Sequence, residues 1–467
     1  MAEIDWKEKV KGYKEDFLED LFELLKTNST RDDNAATDEY PVGPGPVEAL
    51  DAFLDIGERD GFATKNFDNW AGHIEFGEGE ELLGVLGHVD VVPAGSGWDT
   101  DPFEPVIKDN KIYARGSSDD KGPTMAAYYA MKMIRDLDLP VSKRVRVIIG
   151  TDEESGWGCM DHYLKEAETP DFGFSPDAYF PIINGEKGNV SVELKFEGEN
   201  GSEFELVSFE AGLRANMVPQ DAKAIIRTDQ ADELTEKYDE YLKENSLTGE
   251  AFVEGKEVTI SLTGKAAHGS TPEHGKNGAT YLAAFLNDFN FEKDAKAFLN
   301  VTANYLHENH DGRKLGIDHE DELMGHLSAN FGIFEFTEGM GGEITANMRY
   351  PQGTDPDTIL GQFKETLKDE AVECAFTGNA KLPHYVPKDD PLVKTLLDVY
   401  SRQTGEEADE KVIGGGTYGR LLERGVAYGA MFPDSVDTMH QANEFMSIDD
   451  LMNAMSIYAE AIYELIK

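Results

Sequence analysis

The apolar positions change period along the chain, and those changes mark out its elements. From 5 to 27, Trp6, Val10, Tyr13, Phe17, Leu21, Leu24 and Leu25 recur at steps of three and four, with acids and lysines between them. That spacing predicts an amphipathic helix with one face on a core. The segment 31–47 is polar and rich in turn formers, and reads as a loop. Two short apolar runs follow, Leu82-Leu83-Gly84-Val85-Leu86 and Val145-Arg146-Val147-Ile148-Ile149, with a helical segment at 124–136 between them. Strand, helix and strand in that order predict an α/β layer with some parallel strands.

Beyond about 187 the period falls to two. Val190 to Phe196 and Val258 to Leu262 alternate as half-exposed antiparallel strands do, and a helical stretch follows at 277–288. The α/β pattern returns after about 383 and closes with a helix near 447–466, carrying Leu451, Met455, Tyr458, Ile462 and Leu465. The expected organisation is one domain made of 1–186 and 383–467, interrupted by an inserted domain of 187–382.

Composition narrows the classes. The 467 residues include 91 Asp+Glu against 43 Lys+Arg, a net charge of −48. Such a chain is repelled by phosphate backbones and anionic membrane surfaces, so neither nucleic acid nor a membrane is an expected partner. A solubilising surface and adaptation to high internal salt both account for the acidity. No stretch approaches the ~18 uninterrupted apolar residues of a membrane span, and the first residues lack a secretory pattern. The only cysteines, Cys159 and Cys374, stand far apart and outside metal-type spacing. The expected location is the reducing cytoplasm.

Candidate chemistry sits just after the apolar strands, where open α/β sheets bind ligands. His88 and Asp90 follow the first run and, two apart in extended chain, point to the same side. Asp119, Asp120 and Lys121 lie in Arg115-Gly116-Ser117-Ser118-Asp119-Asp120-Lys121-Gly122. Asp152, Glu153 and Glu154 follow the second run, Asp177 follows Phe174-Ser175-Pro176, and His440 comes late. Neutral imidazoles with several carboxylates suit Zn²⁺, or Co²⁺ or Mn²⁺. Two metals need a bridging carboxylate, and a spare Glu beside them can take a proton from water that the cations have acidified. Gly414-Gly415-Gly416 lacks the Gly-Lys-Ser/Thr ending of a phosphate loop. His307, His310, His319 and His326 show no regular ligand spacing, and His73, His162, His274 and His384 have no motif around them.

These stretches, with Thr151-Asp152-Glu153-Glu154-Ser155-Gly156, Asn184-Gly185-Glu186, Arg349-Tyr350-Pro351 and His440-Gln441-Ala442-Asn443-Glu444, resemble the dinuclear zinc peptidase and amidohydrolase family of aminoacylases, glutamate carboxypeptidase and carnosinases. Within it they most resemble the broad-specificity bacterial dipeptidases of the peptidase V group. The resemblance implies a zinc-peptidase-type mixed sheet sandwiched by helices, with the insert as an α+β lid. It implies two Zn²⁺, one on His88 and Asp177, the other on Glu154 and His440, with Asp119 bridging. Asp90 would orient His88, and Glu153 would be the general base and later the proton donor. His268 would stabilise the oxyanion, and Asn216, Arg349 and the Gly414, Gly415 and Gly416 amides would bind substrate. A cis peptide is expected at Asp119–Asp120.

The implied reaction is hydrolysis of a small peptide, a dipeptide with a free amino terminus. Its amine would pair near Asp177 and its carboxylate with Arg349. The rivals are an N-acyl amino-acid or succinyl-diaminopimelate deacylase and a non-catalytic acidic metal-binding protein. A spare base at Glu153 argues against the last, since binding metal requires only ligands. The insert, 382 − 187 + 1 = 196 residues, exceeds the small lid through which many such proteins dimerise. A monomer is therefore expected, with the added material around 291–340.

Overall fold

Leu82–His88, Arg144–Gly150 and Phe172–Ser175 lie side by side as parallel strands at the centre of a six-stranded mixed sheet. Ala71–Phe76 and Ala63–Phe67 extend it antiparallel beyond Arg144–Gly150, and Gly425–Ala427 adds a parallel strand at the other edge. The computed structural model describes residues 4–201 and 203–467.

The central strands are near-continuous apolar runs because both faces are covered. Leu83, Val85, Val145, Val147 and Ile149 point into one core. The helices Lys14–Leu25, Pro44–Arg59, Lys121–Asp136, Pro391–Thr404 and Ile448–Ile466 supply the rest of that core. Leu86 and Ile148 point the other way, against Cys159, Met160 and Tyr163 of the helix Gly158–Glu166 and against Tyr418.

Two predicted boundaries move. The first helix is broken into Trp6–Val10 and Lys14–Leu25 by a 3₁₀ turn at Lys11–Tyr13, where Gly12 weakens the helical hydrogen-bond run. The 31–47 loop ends early, because Pro44 and Pro46 open the helix Pro44–Arg59. Proline's fixed φ and missing N–H suit the first turn of a helix.

The chain divides into two compact units. The first holds Met1–Gly185, Tyr385–Val412 and Gly416–Lys467, and the second holds Glu186–His384 and Ile413–Gly415. The second unit is an eight-stranded antiparallel sheet. Its order is Thr248–Glu254, Glu257–Thr263, Asp221–Thr228, Phe204–Ala211, Ser328–Thr337, Gly341–Tyr350, Gly188–Phe196 and Glu373–Lys381. One face packs on the helices Ala231–Glu244, Gly278–Leu286, Lys293–Asn300 and Pro356–Thr366. The 291–340 segment contributes both the Lys293–Asn300 helix and the central strand Ser328–Thr337. Among the described residues, no helix is long and apolar enough to cross a membrane.

Candidate metal centre

The carboxyl ends of the three parallel strands deliver the chemistry. His88 is the last residue of its strand and pairs with Gly150, the residue before the turn that carries Asp152, Glu153 and Glu154. Asp177 follows Phe172–Ser175 by two residues. Asp119 and Asp120 precede the helix Lys121–Asp136, whose N-terminal end favours negative charge. This approach of helix to strand depends on Gly87, where a Cβ would fall 1.9 Å from Thr124 Oγ1. The Asp119–Asp120 peptide is cis.

Asp119 faces both histidines. Its Oδ1 is 3.2 Å from His88 Nε2 and its Oδ2 is 3.0 Å from His440 Nε2. His440 Nε2 also lies 3.0 Å from Glu154 Oε1, and His88 Nε2 lies 3.6 Å from Asp177 Oδ2. His88, Glu153 and Asp177 gather donor atoms within 4.8 Å of one another, and so do Asp119, Glu154 and His440. Asp119 thus lies between the two groups. Glu153, expected as a base, lies beside His88 and Asp177.

Two buried carboxylates tie down the loop that carries the glutamates. Asp90 accepts the backbone N–H groups of Glu153 at 3.0 Å and Glu154 at 3.1 Å. Asp152 accepts Gly158 N–H at 2.9 Å and Arg31 Nη1 at 2.6 Å. His88 Nδ1 is held mainly by the backbone carbonyl of Asp90, at 3.0 Å, with the carboxylate at 3.4 Å. Asp90 therefore orients His88 through its main chain and the glutamates through its side chain. A carbonyl acceptor fixes the proton on Nδ1 and turns Nε2 to the site.

The fit to cations rests on charge and on an orphaned atom. His88 Nε2 is fully buried and has no well-formed hydrogen bond. Burial and the negative charge of Asp177 push Glu153 well above the ordinary carboxyl range. Burial and Asp119 raise Glu154 to about 7 and Asp177 to about 6. Asp119 and Glu154 raise His440 to about 11. Burial opposes a charged His88, but Asp119, Asp177 and Asp90 outweigh it and raise that ring too. So many crowded carboxylates, with imidazole nitrogens aimed among them, are a donor set for divalent cations.

Glu444, which ends the His440-Gln441-Ala442-Asn443-Glu444 stretch, carries no role that its sequence context assigns. Fully buried, it accepts from Arg115 Nη1 at 2.6 Å, Gly116 N–H at 3.1 Å, Ser118 N–H at 2.9 Å and Ser118 Oγ at 2.8 Å. Asp119 N–H adds a longer contact at 3.3 Å. In a chain with 91 acids, nothing local marks one Glu as buried.

The substrate-binding candidates from the insert gather within the second unit. Gly269 N–H donates to Asn216 O at 2.7 Å, and Met217 bridges to His268. His268 Nδ1 is 2.6 Å from Ser270 Oγ. A Cβ on Gly414 would meet Ser270 Cβ at 2.7 Å and Arg349 Cγ at 3.8 Å. Asn330 Nδ2 holds the Asn216 loop through the Ala215 and Met217 carbonyls, at 2.7 and 2.9 Å. Gly415 belongs to the same unit, whereas Gly416 belongs to the first. Of the unassigned histidines, His73 is buried against Tyr163 and His307 meets Thr280.

A mixed sheet covered on both faces, with paired histidine–carboxylate groups at its strand ends, defines the class as a metal-dependent peptide hydrolase. The chain belongs to peptidase family M20/M25/M40, whose model matches residues 84–464. It is 44% identical over 467 residues to a Beta-Ala-Xaa dipeptidase of Lactobacillus delbrueckii subsp. lactis, covering 100% of this chain and 99% of that protein. Its fold is similar to human carnosine dipeptidase 1, with a TM-score of 0.59, 14% identity and 98% of each chain covered. It is also similar to a dinuclear metal-binding peptidase of Bacillus subtilis, with a TM-score of 0.51, 10% identity, and 98% and 99% covered.

Proposed function

We propose that this chain is a two-zinc dipeptidase that hydrolyses Xaa-Xaa substrates with a free amino terminus, β-alanyl and Xaa-His dipeptides among them. The observation that carries the reading is Asp119, which turns one carboxylate oxygen to His88 and the other to His440, with Glu153 alongside. The name of the Lactobacillus relative supports the substrate class.

His88 and Asp177 would hold one cation and Glu154 and His440 the other, with Asp119 shared between them. When bound, the cations supply Lewis acidity, polarising the scissile carbonyl and acidifying water. Glu153 takes the proton of the attacking water and passes it to the leaving amine. Glu153 lies beside His88 and Asp177, where a carboxylate is placed for both halves of that exchange. His268 donates to the developing oxyanion. Arg349, Asn216 and the Gly414–Gly416 amides hold the peptide's carboxylate end, and the neighbourhood of Asp177 takes its amine.

In this reading 1–186 with 383–467 is the catalytic domain and 187–382 the lid domain. The enzyme works as a monomer in the cytoplasm, in keeping with two free, buried cysteines.

The test is hydrolysis of Ala-His, acetyl-Ala and succinyl-diaminopimelate side by side. Chelator-sensitive turnover of Ala-His alone is expected. Preference for either acylated substrate would replace this reading with a deacylase.

A further inference from the structure

The antiparallel strands Lys111–Tyr113 and Phe445–Ser447 pair Tyr113 with Phe445, so the residues flanking them run together towards the metal centre. Ala114 N–H donates to the Glu444 carbonyl at 3.2 Å, which extends the ladder by one step. There the main chain of 115–119 leaves regular structure, and its donors converge on one side chain. Glu444 Oε2 takes Arg115 Nη1 and Gly116 N–H, and Oε1 takes Ser118 N–H and Ser118 Oγ. A carboxylate offers about four acceptor sites, so these donors saturate it. A buried carboxylate is tolerated only when it is paired and hydrogen-bonded, so Glu444 is fixed where its donors meet. On the other side of Glu444, four residues back, is His440, in the left-handed region at φ +62°.

We propose that Glu444 is a positioning residue for the metal centre: its carboxylate sets the loop that presents Asp119 and locks it to the loop that presents His440. The inference rests on the metal-site reading above. It goes further by assigning the relative placement of the bridging carboxylate and the opposite histidine to a residue that touches no cation. Neutralising Arg115 alone would be a different role. In that case loss of Glu444 would lower stability and leave metal binding unchanged.

The experiment is competition titration of chelator-treated full-length protein with Zn²⁺ alone. It compares wild type, Glu444→Gln, Glu444→Ala and Asp119→Ala, well below the melting temperature of each metal-free protein. Loss of a group that orients metal ligands typically costs ~10–100-fold in affinity. Glu444→Ala is expected in that range, and Glu444→Gln, which keeps an acceptor for Ser118, between it and wild type. Should neither fold, Ser118→Ala removes one hydroxyl donor and is expected to bind Zn²⁺ several-fold more weakly. Wild-type affinity in a folded Glu444 variant, or in Ser118→Ala if that is the only one to fold, overturns the proposal. Wild type that binds no Zn²⁺, or Asp119→Ala that binds it as well as wild type, points instead to failure of the metal-site reading.

Discussion

Nε2 of His440 stands 3.0 Å from Oδ2 of Asp119, while the other oxygen of that carboxylate faces His88 at 3.2 Å. In the proposed two-metal reading, this single aspartate between two imidazoles is the element on which both cations would depend. Asp119→Ala is therefore expected to lose metal and activity together, read by elemental analysis and by rate.

Glu153→Gln separates metal from base. The side chain lies close enough to His88 and Asp177 to be a ligand, yet the reading makes it the proton carrier. It is expected to retain both metals and lose several orders of magnitude in kcat. A folded but metal-free Glu153→Gln protein would reverse the assignment.

For His268 the expected signature is kinetic. His268→Ala should fall ~10²–10³-fold in kcat with normal metal content. An unchanged kcat would remove it from the mechanism.

Assembly follows from the size of the insert and the charge of −48. Light scattering should give a monomer at all accessible concentrations. Mixing His268→Ala with Glu153→Gln should restore no activity, since in the proposed monomer each chain completes its own site.

The strands, and the polar residues gathered at their ends, were legible in the sequence for a physical reason. Central strands covered on both faces must be continuously apolar, and the residues just after them have only solvent or a ligand to face. His88, Glu153 and Asp177 stand out for that reason. Long-range partners leave no such mark. The meeting of Glu444 with Arg115 and Ser118, and of Arg31 with Asp152, depends on pairings between distant segments that no local pattern encodes. Asp90 was legible as a neighbour of His88. That its carboxylate instead holds the Glu153 and Glu154 amides depends on the turn after Gly150.

Stability should carry an acid limb from His73. Burial, with Arg146 and Lys65 nearby, lowers this imidazole to about 3. Between that value and the unfolded pKa of ~6.5, the unfolded chain binds more protons than the folded one, so stability rises with pH. The contribution is complete above pH ~6.5 and is lost as pH falls towards 3. By pH 4.5 it should amount to about 2–3 kcal/mol. Urea unfolding of wild type and His73→Gln at pH 7 and 4.5 checks this, the variant lacking that share of the acid loss.

The central claim, a dipeptidase that needs two cations held by Asp119 and its neighbours, is tested most directly by stepwise return of Zn²⁺ to chelated enzyme while Ala-His hydrolysis is followed. Turnover is expected to be absent without metal and to reach its plateau at two equivalents per chain. Full turnover by the metal-free protein, or a plateau at one equivalent, would contradict the account.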